Sequence, residues 1–234
     1  MRTVSDTKRS FYTYHTHPIN SIYRRVVEEL MVEMHLLSVN VDFRYNPIYA
    51  LGIVTSFDQF MQGYQPESDQ ESIFVALCQA VEGNPQQYRQ DAESIKGFVQ
   101  NLSSQGLVDW LSSPTPQDGT GEWLASWQET VAHSKFKYSR LFAIGLYTLF
   151  EQIDSELVKE EKQLQEILKP LSEVINFSED KMLKDIELYK GNLLKMSQAK
   201  AVLEDALEAE RKKRQKRALE KKEPTQDQEV ETSE

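Results

Sequence analysis

Apolar side chains recur along most of this chain at the three- and four-residue spacing of a helix surface. The clearest stretch is 19–37, where charged residues fill the positions between the apolar ones. Such a stripe is typical of a helix that buries one face. We therefore predict an amphipathic helix here, whose buried face is made by Ile19, Ile22, Tyr23, Val26, Val27, Leu30, Met34 and Leu37.

Three more helices are predicted from residues that favour a helix start. Asn46-Pro47 and Asn84-Pro85 each put an amide side chain before a proline, which suits the first turn of a helix. Ser68-Asp69-Gln70-Glu71 has the spacing of a capping box. The helix after Asn46 is predicted to run to Gly63, the helix after Ser68 to Gly83, and the helix after Asn84 to Leu102.

The middle of the chain predicts a loop and a central helix. Residues 112–121 hold two prolines and two glycines and predict a loop, which precedes a helix around Trp123 and Trp127. Residues 138–150 are apolar nearly all round, which predicts a helix in the centre of the core. We expect that helix to continue to Leu168, with Pro170 ending or kinking it.

The last helix is predicted to start at Ser178, because a hydroxyl followed by two acids suits a helix N-terminus. Residues at alternating four- and three-residue spacings then run from Met182 to Leu207, with Lys200 as the polar break. This heptad-like seam predicts a helical hairpin or a coiled coil.

Together these patterns predict an all-α fold, a multi-helix globular bundle with a long C-terminal helix. Only nine glycines and eight prolines occur in 234 residues, whereas a many-stranded sheet needs frequent turns. The predicted domains are a helical globular domain (1–176), the long helix with its basic end (177–222) and a disordered acidic tail (223–234).

Composition bears on the role of the cysteine, on membrane spans and on targeting segments. The single cysteine, Cys78, lies in an apolar run and is expected to be a buried, unreactive side chain. The chain contains no run of 18 apolar residues, so no membrane-spanning helix is predicted. The basic N-terminus lacks the apolar stretch of a secretory signal and the Ser/Arg-rich length of a transit peptide.

The densest charge is a basic run near the end of the last predicted helix, made by Arg211, Lys212, Lys213, Arg214, Lys216 and Arg217. One interpretation is a solvated helix end whose cations complement the helix dipole. Another is a contact with an anionic lipid surface or an acidic partner. Nucleic acid is not expected as a partner, because the chain carries a net charge of −10 and the run holds no aromatic residue.

A second candidate contact surface is the polar face of the helix at 19–37. Arg24, Arg25, Glu28 and Glu29 lie together on it. The face is either simply solvated or docks a partner.

No catalytic or cofactor motif assembles in the sequence. Glycine-rich nucleotide loops, His-Glu-x-x-His and the Glu-x-x-His of helical di-iron proteins are all missing. His15 and His17 form the only close histidine pair, and packing or surface roles are expected for them. We expect no enzyme activity, metal or cofactor; a site built on Cys78 or on this pair is the enzymatic alternative.

Four blocks in order along the chain resemble the thylakoid-formation proteins of cyanobacteria and chloroplasts. The blocks are Thr3–Asn40, NPIYALGIVTSFDQFMQGYQPE (46–67), RLFAIGLYTLFE (140–151) and SEDKMLKDIELYKGNLLKMSQA (178–199). The absence of a transit peptide suits a cyanobacterial member of the family.

The resemblance implies a helical factor for photosystem II biogenesis and repair and for thylakoid organisation. Relatives associate with the membrane-bound FtsH protease, and peripheral attachment to the cytoplasmic or stromal side of the thylakoid is implied. The leading hypothesis is a non-enzymatic accessory protein that binds FtsH or a photosystem II assembly intermediate. The alternative is a structural coiled-coil scaffold that homodimerises through 182–207.

Overall fold

Ten α-helices follow one another along the part of the chain that is described in a computed structural model, residues 2–133 and 135–220. At 204, 207 and 216–220 only the backbone is described. The helices are α1 (Val4–Tyr14), α2 (Ser21–Ser38), α3 (Pro47–Met61), α4 (Glu67–Ala80), α5 (Pro85–Val99), α6 (Ser104–Ser112), α7 (Trp123–Ala132), α8 (Arg140–Ile153), α9 (Glu161–Ile175) and α10 (Glu179–Glu220). These residues contain no strand, which confirms the predicted all-α fold.

The chain divides into two compact units. The first runs from Met1 to Leu193, and the second begins at Leu194. Helix α10 therefore starts in the first unit and continues as the second. The predicted acidic tail, 223–234, lies outside the described residues.

The centre of the first unit is the crossing of α3 and α8. The two helices approach so closely that a Cβ on Gly52 would lie 1.7 Å from the backbone oxygen of Leu141. A Cβ on Gly145 would lie 1.9 Å from the backbone oxygen of Ile48. Neither position has room for a side chain, because normal contacts between such atoms exceed 3 Å. The helix predicted at 138–150 is thus central, as its apolar surface indicated.

The predicted continuation of α8 to Leu168 is wrong. Helix α8 ends at Ile153, and a 3-10 turn at Leu157–Lys159 leads into α9. The carboxylate of Asp154 accepts hydrogen bonds from the backbone amides of Glu156 and Leu157, at 3.0 and 3.1 Å. Such a local bond competes with the helical one and favours a turn. Pro170 lies inside α9 and does not end it.

The capping box predicted at Ser68 is also wrong. Helix α4 begins at Glu67, after Pro66, and no side chain caps its first amides. Its first turn carries Glu67 and Asp69, whose charges suit the positive end of the helix dipole. The Asn46 and Asn84 caps are confirmed, since each side chain accepts hydrogen bonds from the first helical amides.

Helix α1 has no counterpart among the helices predicted from the sequence. Thr3 and Asp6 form a reciprocal capping box that starts it. Phe11 is fully buried, and the buried hydroxyl of Thr7 lies 2.8 Å from Nδ1 of His35 on α2. The N-terminal segment is therefore part of the core of the first unit.

The start of the predicted seam on α10 packs within the first unit. Met182, Ile186 and Tyr189 are buried there, and the ring of Tyr189 meets that of Phe60 edge to face at 5.7 Å. These side chains are therefore already covered in a single chain. The coiled-coil pairing of later positions stays a prediction, and the side chain of Leu207 lies outside the described residues.

Candidate docking groove

An open groove of about 850 Å³ lies on the first unit, along the solvent side of α2. One wall carries all four residues that the sequence singled out, Arg24, Arg25, Glu28 and Glu29. The opposite wall comes from the residues around the start of α8 and the first turns of α10: Tyr138, Ser139, Arg140, Lys181 and Asp185. The structure thus brings the predicted face together with a distant part of the chain.

Two apolar side chains, Val32 and Leu36, lie in this groove. They fall outside the buried stripe of α2, so the fold leaves them 37% and 57% exposed. Full burial of an exposed side chain of this size is favourable by about 1.5–3 kcal/mol, and covering the exposed part of Val32 and Leu36 would give a fraction of that. The groove therefore presents exposed apolar side chains as well as charged ones.

Glu33 connects the two walls. One oxygen of its carboxylate accepts hydrogen bonds from Arg140 Nη2 at 2.7 Å and Nε at 3.1 Å. The other oxygen accepts the backbone amide of Leu141 at 3.3 Å, in the first turn of α8. A carboxylate at a helix N-terminus also interacts favourably with the helix dipole. Glu33 thereby fixes the start of α8 against α2.

The acids at 28 and 29 are paired with cations. Glu28 lies 2.9 Å from Lys8 Nζ and accepts a hydrogen bond from the hydroxyl of Tyr12 at 3.3 Å. The hydrogen bond from Lys8 is the main cause that lowers the pKa of Glu28. Glu29 lies 3.1 Å from Arg25 Nε, one helical turn away. Both carboxylates are thus engaged within the chain.

On the opposite wall, Tyr138 donates a hydrogen bond to Asp185 at 2.7 Å. Burial raises the pKa of Tyr138, and the hydrogen bond to the Asp185 carboxylate raises it further. The phenol therefore stays protonated and acts as a donor. Lys181 lies over the Tyr138 ring, with Nζ 4.8 Å from the ring centroid.

Two cations of the groove have no carboxylate within ion-pair distance among the described residues. They are Arg24, on α2, and Lys181, on α10. Both side chains are exposed. Asp185 likewise has no cation within ion-pair distance among the described residues, so the groove charges without an ion pair are two cations and one carboxylate.

The histidine pair lies in the irregular segment between α1 and α2. His15 is buried, and its Nδ1 is 3.0 Å from the hydroxyl of Ser72 on α4, while Nε2 has no hydrogen-bond partner in the described structure. His17 is exposed and lies 3.4 Å from Asp69. Within the described ranges no three His, Cys, Asp or Glu side chains are grouped to hold a metal. His15 has the packing role that the sequence favoured.

Acid should weaken the fold through His15. Burial lowers the pKa of His15 below its ordinary 6.5, although Asp69 opposes the shift. The unfolded chain therefore binds a proton more readily, and the contribution of neutral His15 is complete above about pH 6.5 and is lost as the pH falls through the lower folded pKa. We expect His15→Gln to flatten the pH dependence of urea unfolding in this window, measured by circular dichroism. His133→Gln is the control, and an unchanged slope in His15→Gln would refute the prediction.

Cys78 is fully buried. Burial raises the pKa of its thiol to about 12, so the reactive thiolate is essentially absent at neutral pH. This environment matches the structural role expected from the sequence.

The basic run lies on α10 in the second unit. Arg211, Lys212, Lys213 and Arg214 are exposed; Lys212 pairs with Glu208 at 2.8 Å and Arg214 with Glu210 at 2.7 Å. The side chains of Lys216 and Arg217 lie outside the described residues. None of the described helices combines the length and hydropathy of a bilayer span.

Fold and groove define an all-α protein with an open groove lined by charged and apolar side chains. Residues 3–218 match the thylakoid formation protein family. Protein Thf1 of Trichormus variabilis is 62% identical over 93% of this chain and 93% of its own length, and Protein Thf1 of Nostoc sp. is 61% identical over the same shares. The chain belongs to the thylakoid formation protein family, which confirms the resemblance. The solved structure of Psb29 is 48% identical and superposes with a TM-score of 0.78, over 92% of this chain and 99% of Psb29.

Proposed function

We propose that this protein is a non-enzymatic accessory factor for photosystem II biogenesis and repair, which binds the FtsH membrane protease and supports its accumulation. The observation that carries the proposal is the family match over 3–218, together with the likeness to Psb29. The groove supports a binding role, because it combines exposed apolar side chains with charges that a partner could pair. A photosystem II assembly intermediate is the second partner that we propose.

The site of action that we propose is the cytoplasmic surface of the thylakoid, with peripheral attachment. The basic run supports this placement, because exposed Lys and Arg side chains are attracted to anionic lipids by about 1 kcal/mol each. In this proposal Arg211, Lys212, Lys213, Arg214, Lys216 and Arg217 contact the lipid surface, and the groove is left to bind protein.

A homodimeric coiled-coil scaffold is the alternative function. It is disfavoured by the burial of Met182, Ile186 and Tyr189 within the first unit of one chain. A second chain could pair with these positions only if they left their present contacts.

The proposal predicts that FtsH is recovered with this protein from thylakoids. The full chain, tagged and expressed in a cyanobacterium, is purified from thylakoids solubilised in mild detergent, and an untagged strain serves as the control. We expect FtsH subunits in the tagged eluate alone, and a slower recovery of photosystem II after strong light when the protein is removed. Recovery of the tagged chain without FtsH would contradict the binding proposal.

A further inference from the structure

Exposed apolar side chains are concentrated at one place in the first unit. Nine large apolar residues are exposed in the described part of the chain, and four of them lie within ten residues: Val32, Leu36, Val39 and Val41. Single exposed apolar residues are ordinary, whereas a contiguous patch indicates an interaction site. Two of the four, Val32 and Leu36, line the groove.

The spacing of this patch is that of a helix-pairing surface. Val32 and Leu36 on α2 and Val39, the residue that caps its C-terminus, follow one another at intervals of four and three residues, so they form a row about 10 Å long. A row of this kind accepts the apolar side chains of a second helix laid along it. Its shape therefore fits a helix better than an extended strand, which would need unpaired backbone groups to bind.

The charges of the groove indicate the charge of the occupant. Glu28, Glu29 and Glu33 are each paired with a cation of this chain, and Asp185 accepts the Tyr138 hydroxyl. Arg24 and Lys181 have no carboxylate within ion-pair distance among the described residues, although Arg24 is near enough to help lower the pKa of Glu28, and they outnumber Asp185, the carboxylate of the lining that no cation pairs. A helix with acidic residues beside its apolar row would pair with both cations, whereas a basic helix would leave them opposed by like charge.

We propose that the groove binds an acidic amphipathic helix of a partner protein. Apolar side chains of that helix sit on Val32 and Leu36, and its carboxylates pair with Arg24 and Lys181. Since the occupant belongs to a partner, this assignment rests on the binding function proposed above and specifies the chemistry of that partner.

Two synthetic peptides of about 20 residues test the assignment, a length at which an isolated helix is stable enough to form. Both carry the same row of leucines; one has glutamate and the other lysine beside it. Fluorescence anisotropy of each labelled peptide is followed as the full-length protein is added. We expect the glutamate peptide to bind more tightly. Equal binding of the two peptides, or binding of neither, would overturn the proposal.

Leu36→Ser tests the apolar contact. Because the variant lacks the apolar side chain that the bound peptide would cover, affinity for the glutamate peptide should fall about tenfold or more. Val174→Ser is the matched control, since Val174 is 45% exposed on α9, away from the groove lining. Thermal unfolding checks that both variants fold. An equal loss of affinity in the two variants would overturn the assignment to this groove.

Arg24→Glu with Lys181→Glu tests the charge contact. The double variant should bind the lysine peptide more tightly than the glutamate peptide, a reversal that loss of folding would not produce.

Sedimentation velocity tests whether a second copy of this chain, rather than a partner protein, occupies the groove. A wild-type dimer that Leu36→Ser converts to a monomer would overturn the proposal in favour of self-association.

Purification from thylakoids separates this inference from the proposed function. FtsH recovered with wild type and lost with Leu36→Ser supports the groove as its docking site. FtsH recovered equally with both leaves the proposed function intact and overturns the groove as the site. If wild type brings down no FtsH, the proposed function fails, and the peptide measurements alone decide whether the groove binds an acidic helix.

Discussion

Gly145→Ala is expected to destabilise the protein by about 3 kcal/mol or more, at the upper end of the range for overpacked cores. The added methyl group would lie 1.9 Å from the backbone oxygen of Ile48, and 2.9 Å from the backbone nitrogen of Gly52. Both atoms belong to α3 and move only with that helix, so α3 and α8 must separate and loosen the core between them. The measurements are chemical unfolding and thermal melting, whose midpoint should fall by about 6–12 °C for a chain of this size.

Two glycines elsewhere provide matched controls for that substitution. Gly97 on α5 and Gly191 on α10 have no atom within 4 Å of an added Cβ. At both positions alanine should be neutral or stabilising by about 0.5–1 kcal/mol, because it restricts the unfolded chain more than glycine does. A midpoint of Gly145→Ala that matches these controls would show that the helix crossing tolerates a side chain.

Neutralising the basic run should abolish binding to anionic vesicles while leaving the fold intact. The variant replaces Arg211, Lys212, Lys213, Arg214, Lys216 and Arg217 by glutamine. At about 1 kcal/mol for each cation near an anionic surface, even Arg211→Gln with Lys213→Gln should weaken binding about thirtyfold. Flotation with vesicles of phosphatidylglycerol measures the effect. Wild-type binding should also weaken at high salt, because the Debye length shortens from about 10 Å at 0.1 M to about 3 Å at 1 M.

The control for the variant Arg211→Gln with Lys213→Gln removes two positive charges from another helix. Lys162→Gln with Lys169→Gln changes two exposed lysines of α9. If binding depends on the local cluster, this variant should float like wild type, whereas dependence on net charge alone would weaken both double variants equally. Unchanged flotation of the six-residue variant would dismiss the lipid contact.

Local patterns explain why much of the fold was predictable. The Asn-Pro pairs at 46 and 84 place a cap and a first-turn residue side by side, so both helix starts follow from neighbours in sequence. The apolar stripe of α2 likewise appears within one segment. Helix α1 was missed because its buried residues are few; Thr7 and Phe11 alone are buried along its length.

The candidate groove was predictable only on one side. Arg24, Arg25, Glu28 and Glu29 share a face at helical spacing, so the sequence places them together. Arg140 is 107 residues from its partner Glu33, and no local pattern links them. The exposure of Leu36 could not be predicted from the sequence either, because the elements that pack beside a helix decide whether an apolar residue on it is covered.

The amino-acid sequence by itself determined that this protein is helical, where several of its helices begin, which family it belongs to and where its basic run lies. Those properties depend on contacts between residues a few positions apart, on composition and on motif order. The tertiary structure alone decided that Gly52 and Gly145 meet, that Glu33 holds the start of α8, and that α2 faces Lys181 and Asp185 across a groove. Such contacts join distant segments, and their positions follow from how all the helices pack at once rather than from any one stretch of chain.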